Sequence, residues 1–167
     1  MIMDTALIVE KINKSLPGLI EDQIWFRDEL QIYVKKELFI SFMKHLRYNE
    51  DFKFDLLLDV AGIDRFSIKP RFELVYILYS LEYNMRLIVK LKVDISDIVP
   101  SMTIFWKSAN WPEREVYDLL GIKFSNHPDL RRILTWDNFE GHPLRKDFPL
   151  QGPDFNEKFN PDSIKVY

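Results

Sequence analysis

The chain contains no cysteine. That excludes a disulfide, a thiolate zinc site and a cysteine-held iron–sulfur cluster, and it fits a reducing compartment. Histidine is almost as scarce. His45, His127 and His142 are the full set, and their spacing matches neither HExxH nor HxH. Five glycines in 167 residues leave no Gly-rich phosphate loop and no dinucleotide fingerprint. Long hydrophobic runs are missing too. A stretch such as Leu74–Tyr79 falls far short of the roughly 18–20 residues that cross a bilayer. The N-terminal MIMDTALIVEKINKSL carries acids early and has no basic region ahead of an apolar one, so it reads as neither signal nor transit peptide. A strong charge of one sign is also lacking. The formal net of −3 favours neither nucleic acid nor anionic lipid as a partner.

What is present is bulk. Hydrophobic residues make up 47% of the chain and aromatics 14%, with thirteen Phe and four Trp. A chain of this size with that composition supports one core without staples. Ile8, Ile12 and Leu16 recur every four residues and predict an amphipathic helix ended by Pro17-Gly18. Residues 20–27 and 30–34 read as short strands around Asp28-Glu29. Lys35 to Tyr48 predicts a helix with an apolar stripe of Leu38, Phe39, Phe42, Met43 and Leu46, stopped by a left-handed Asn49. His45 falls on its polar side. In the middle, Phe54, Leu56, Leu58 and Val60 alternate with Asp55 and Asp59, and Phe72 to Tyr79 is apolar on both faces. Leu87, Val89, Leu91 and Val93 alternate with Arg86, Lys90 and Lys92, after a hairpin turn at Tyr83-Asn84. The expected fold is α+β in two layers, a mainly antiparallel sheet with helices on one face.

The stretch from Asn110 to Gly152 differs in texture. It opens with a short charged helix that Asn110 is expected to cap, with Glu113 as its capping-box partner and Gly121 as its end. Arg114 and Asp118 are spaced to pair across one turn. After Gly121 the chain is dense in charge, proline and aromatics, with Pro128, Pro143, Pro149, Pro153 and Pro161 punctuating it. Such a segment cannot bury a regular apolar face of its own. Its charges need a surface, either elsewhere on this chain or on another protein. We therefore divide the chain into a globular domain, 1–122, and an extended, Pro-rich interaction arm and tail, 123–167.

The chemistry-bearing residues of this stretch have bland readings, and these are favoured. His127 and His142 with nearby acids would make a metal site in principle, but each imidazole is expected to cap a turn or pair with a carboxylate. Glu113, Glu115 and Asp118 would make an acid–base pair, yet three acids near a helix start also complement its dipole. Arg131-Arg132 and Arg145-Lys146 lie beside Asp129 and Asp147, so ion pairing is expected over phosphate binding. Trp136 and Phe139, on a loop between prolines, read as interface anchors. No nucleophile stands beside a base. These residues suit a cofactor-free binding and scaffolding protein, with a free-standing metal-dependent hydrolase using His127 and His142 as the rival of another class.

The pattern Glu113-Arg114-Glu115-x-x-Asp118-Leu119-Leu120, then six residues, His127, three more, Arg131, and Ile133-Leu134 resembles the signature of the C subunit (30 kDa subunit family) of respiratory complex I. That enzyme is the proton-translocating NADH:quinone oxidoreductase. The GHPLRKDFPLQG of residues 141–152 is also typical of the family. The resemblance implies a peripheral, structural subunit of the hydrophilic arm that binds no cofactor itself. FMN, iron–sulfur clusters and quinone then belong to partner subunits. It further implies packing against the D-type (49 kDa-like) subunit near the quinone site, and a B-type cluster-bearing subunit among the neighbours. The place implied is the cytoplasmic side of the bacterial inner membrane, or the matrix or stroma equivalent. Glu113, Arg114, Glu115 and Asp118 would order the helix and its contacts. Arg131, Arg132 and Arg145 would form buried pairs within the arm or across the interface, with His127, His142 and Asp147 as further signature positions. Ferredoxin-, F420H2- and hydrogenase-type membrane complexes contain subunits with the same motif.

Overall fold

The structure is a computed structural model that describes residues 5–27 and 29–149, with side chains from residue 8 onward. The expected tail, 151–167, lies outside the described residues. A five-stranded sheet runs in the order β1-β2-β5-β4-β3. Its strands are β1 (Ile20–Phe26), β2 (Glu29–Val34), β3 (Leu56–Asp64), β4 (Phe72–Ser80) and β5 (Met85–Val93). All pairings are antiparallel except β2 with β5. Register places Ile32, Val89, Tyr76 and Val60 side by side across four strands, so they share a face, and all four are buried. Helices cover that face. α1 (Thr5–Ser15) adds Ile8 and Ile12 to the core, and α2 (Phe39–Tyr48) brings Phe39 to 5.0 Å from the Tyr76 ring. The α+β, two-layer reading holds.

Three local expectations change. The alternation in β3 is broken by a bulge between Leu57 and Asp59. One extra residue reverses which side chains face inward. Leu57 and Val60 are therefore buried, while Leu56 and Leu58 are exposed. Asn49 is extended, at φ −75°, and not left-handed. Its side chain accepts from the Asp51 N–H at 2.8 Å, an Asx turn that ends the helix another way. The helix foreseen over 35–48 is a 3-10 turn (Lys36–Leu38) running into α2, and Leu38 is exposed.

Beyond β5 a parallel pair, β6 (Ile98–Pro100) with β7 (Lys123–Ser125), brackets α3 (Asn110–Leu120). Ser101 accepts from the Thr103 N–H and so opens the 3-10 turn Met102–Ile104. α3 lies against β3, where Gly62 admits the Leu120 and Val116 side chains; a β-carbon at 62 would overlap Leu120. The buried Val116, Leu120, Ile122 and Phe124 join the main core. The helix that carries the signature residues is thus fixed on the sheet.

The bulge makes a direct prediction. Leu57→Ala is expected to cost about 2–4 kcal/mol and Leu58→Ala less than about 1 kcal/mol, measured by denaturant unfolding. Equal costs would contradict the register.

Candidate functional site: a carboxylate-centred clamp

The last four carbonyls of any α-helix lack partners within it. In α3 these belong to Tyr117, Asp118, Leu119 and Leu120. The Gly121 N–H takes the first at 2.8 Å. His142 Nδ1 takes the Asp118 carbonyl at 2.8 Å, the Leu144 N–H takes that of Leu119 at 3.0 Å, and Arg145 Nε takes that of Leu120 at 2.6 Å. Three of the four caps thus come from residues more than twenty positions downstream. His142 and Arg145 crowd over Gly121, which sits at φ +78°. Any β-carbon there would collide with both side chains, so glycine is needed for conformation and for room.

The Asp118 side chain does the same work from the helix flank. Its Oδ2 accepts the N–H groups of Ile133, Leu134 and Thr135 at 2.9, 2.8 and 2.9 Å. Its Oδ1 accepts from Arg132 Nη1 at 2.6 Å and from the Thr135 hydroxyl at 2.5 Å. The carboxylate is fully buried. Burial alone would raise its pKa, but the bonds from Thr135, Ile133 and Leu134 outweigh that and hold it well below the usual carboxylate range. Arg114 donates to the carbonyls of Arg131 and Arg132, both at 3.1 Å. It does not pair with Asp118 as its spacing suggested.

A second carboxylate fixes the far end of the arm. Asp64, at the end of β3, accepts from Arg71 through two bonds of 2.9 and 2.7 Å and from the Lys146 N–H at 2.9 Å. Arg71 also grips Asp147 through bonds of 2.8 and 2.7 Å. The Arg71 guanidinium holds Asp64 well below the normal range. Asp64, Arg71, Thr135 and Ser101 had no place in the sequence reading. The one signal available was that Asp64 shares the inward parity of Val60 in β3. Asp147 therefore finds its cation 76 residues away, not beside it.

Glu113 departs furthest from expectation. Asn110 is helical and makes no side-chain cap, so there is no capping box. Glu113 points inward, fully buried, with Oε2 accepting from the Ser101 hydroxyl at 2.6 Å and Oε1 from the Met102 N–H at 2.7 Å. Burial pushes its pKa up to about 7, against those two bonds. The dipole reading fails for Asp118, which lies in the last turn of α3; Glu113 does lie in the first turn, but as a buried acceptor. Glu115 is exposed beside a cleft of about 250 Å³ lined also by Asp59, Leu119 and Leu144. His127 behaves as expected: Nδ1 accepts the Asp129 N–H at 3.0 Å and Nε2 donates to the Asn110 carbonyl at 3.0 Å. Arg131 and Asp129 form a local pair at 2.7 Å on the surface. His45 is half-buried, 3.1 Å from the Ser15 hydroxyl.

This arrangement binds chain to chain. Among the described residues no group of three or more His, Asp or Glu is placed to hold a metal ion. The outward side of the clamp carries several large apolar groups. Trp111, Leu134, Trp136 and Leu144 are 67, 62, 60 and 58% exposed. Trp136 rests edge-on against Phe139 at 4.8 Å, Phe139 stacks on Phe148 at 5.9 Å, and Arg132 lies 5.8 Å from the Phe139 ring.

Asp118→Asn leaves Arg132 half-buried without its carboxylate, and is expected to cost roughly 3–5 kcal/mol. Both Asp118 and Asp64 have lowered folded-state pKa values. Their stabilisation is complete above the unfolded value near pH 4 and fades as pH falls below it. Unfolding midpoints from pH 4 down to 2 should therefore drop for the native chain and drop less for Asp118→Asn.

Residues 32–154 match the family described as the respiratory-chain NADH dehydrogenase 30 kDa subunit. The chain is similar to NADH-ubiquinone oxidoreductase subunit 9 of Reclinomonas americana, at 48% identity over 83% of this chain and 68% of that one. It is also similar to the C subunit of NADH-quinone oxidoreductase from Roseiflexus sp. (strain RS-1), at 39% identity over 100% and 97%. Among solved structures, a trypsin-resistant fragment of Nqo5 superposes with a TM-score of 0.64 at 32% identity, covering 77% of this chain and all of the fragment.

Proposed function

Because the chain belongs to the 30 kDa subunit family of respiratory-chain NADH dehydrogenase, whose bacterial members are the C subunits of NADH-quinone oxidoreductase, or complex I, we propose that its role there is structural. In this reading it carries no cofactor and performs no step of electron transfer. It is a rigid block of the peripheral arm, on the side of the membrane where NADH is oxidised. Its arm, from residue 123 onward, docks on the D-type subunit beside the quinone site, with a B-type cluster-bearing subunit nearby. FMN, iron–sulfur clusters and quinone then reside in those neighbours.

One observation carries the reading. Arg132, Thr135, His142 and Arg145 turn inward onto α3 and Asp147 onto Arg71, while Leu134, Trp136 and Leu144 stand exposed. A loop folded for its own sake would do the reverse. Large apolar side chains held rigidly at the surface are the usual anchors of protein–protein contacts. The resistance of the related Nqo5 fragment to trypsin supports a compact globular part distinct from the segment after it. The absence, among the described residues, of any helix long and apolar enough to cross a membrane suits a peripheral place.

Trp136→Ala separates this reading from a catalytic one. Its own fold should hardly notice, with a change under about 0.5–1 kcal/mol. Losing an anchor should weaken docking by at least about 2 kcal/mol. The expected outcome is less assembled complex in the membrane, with unchanged NADH:quinone turnover per assembled complex. Full assembly with slow turnover would point instead to a part in electron or proton transfer.

A further inference from the structure

Two acids of the same helix sit buried within two turns of each other and meet opposite surroundings. Asp118 has Arg132 at 2.6 Å. Among the described residues, no cation is in hydrogen-bond contact with Glu113. Its bonds come from the Ser101 hydroxyl and the Met102 N–H, both at the exit of β6. The titratable groups that face it are His127, beyond β7, and Tyr76, from β4. The His127 ring is fully buried, with Nε2 3.9 Å from the Glu113 carboxyl. Its hydrogen bonds assign its tautomer. The Asn110 carbonyl only accepts, so Nε2 bears a proton; the Asp129 N–H only donates, so Nδ1 bears none. A protonated ring would set two donors head to head at 3.0 Å. Tyr76 is fully buried, its hydroxyl has no partner among the described groups, and burial raises its pKa well above the ordinary value. Neither neighbour can neutralise a carboxylate without breaking a bond already made or giving up a proton it holds tightly.

We propose that Glu113 is a proton-operated latch: as the neutral acid it closes the junction of β6, α3 and the 127–129 turn, and on losing its proton it loosens that junction. The proton comes from and returns to solvent, and no other group changes its state. The physical cause is the cost of an isolated charge in a dry interior, which two neutral donors only partly offset. Relief requires water, or a donor turned from His127; that turn breaks its bonds to Asn110 and Asp129, which frees the root of the arm. The subunit is then tightest at mildly acidic pH and slackens through neutrality, opposite in sign to Asp118 and Asp64. A carboxyl whose folded pKa is about 7 keeps its proton where the unfolded chain has lost it, so stability falls as pH rises between the two values.

The test uses the full chain and Glu113→Gln, whose amide oxygen can accept from the Met102 N–H while its NH2 donates to the Ser101 hydroxyl oxygen. Between pH 4.5 and 7.5 the folding equilibrium constant of the native chain should fall on the order of a hundredfold relative to that of the Gln variant. A native chain that tracks the variant across this range overturns the proposal. Should the variant fail to fold, carboxyl-labelled glutamate followed by NMR in the native chain decides alone. One glutamate titrating with a midpoint near 7 supports the latch, and all glutamates titrating below about pH 5 refutes it. Neither result depends on which partner the arm docks against.

Discussion

A helix cannot satisfy its own last carbonyls, and in this protein that unmet need organises everything after β7. Three of the four orphans at the end of α3 are taken by His142, Leu144 and Arg145. The Asp118 side chain gathers three further backbone N–H groups and one guanidinium. A proline-broken segment with no periodicity thereby gains a defined shape without a core of its own. Its cations also lie where the negative end of the helix dipole favours them. Several of its polar side chains are used inward, and Leu134, Trp136 and Leu144 are left facing out.

Much of the fold was legible. The periodicity of α1 and α2, the pairing of Phe72–Tyr79 with Leu87–Val93 through the Asn84 turn, and the helices on one face all come from where apolar residues recur. The failures share one cause. The bulge at Leu57–Asp59, the inward Glu113 and the pairing of Asp147 with Arg71 are each set by a contact far away in sequence. Spacing along a single chain cannot distinguish an aspartate that decorates a helix from one that receives three amides fifteen to seventeen residues on. The signature positions could be named, because the resemblance to a family marks them. What each one touches could not. Asp64, Arg71 and Thr135 carry as much of the clamp as the named residues; Asp64 is marked only by its parity with Val60, and the other two bear no local mark at all.

The contrast between Glu113 and Asp118 shows how placement decides chemistry for one side-chain type. Both are buried acids of α3, and desolvation disfavours the charge of each. Asp118 receives an arginine and three amides, so its ionised form wins. Glu113 receives one hydroxyl and one amide, and the proton stays to about neutral pH. One acid fastens the arm with charge, and the other fastens its root by lacking it. In a complex I subunit this makes the segment after β7 a folded part of the molecule, whose stiffness depends on two carboxyl groups of opposite character.

The central claim is that α3 folds the segment beyond it before any partner is met. Amide hydrogen exchange at Ile133, Leu134 and Thr135 in the isolated full-length chain tests this most directly, because those three N–H groups end on the Asp118 carboxylate. Exchange slowed by at least about a hundredfold relative to an unstructured peptide is the expected result. Exchange at the unstructured rate would mean that the clamp forms only on a partner, and would contradict the account.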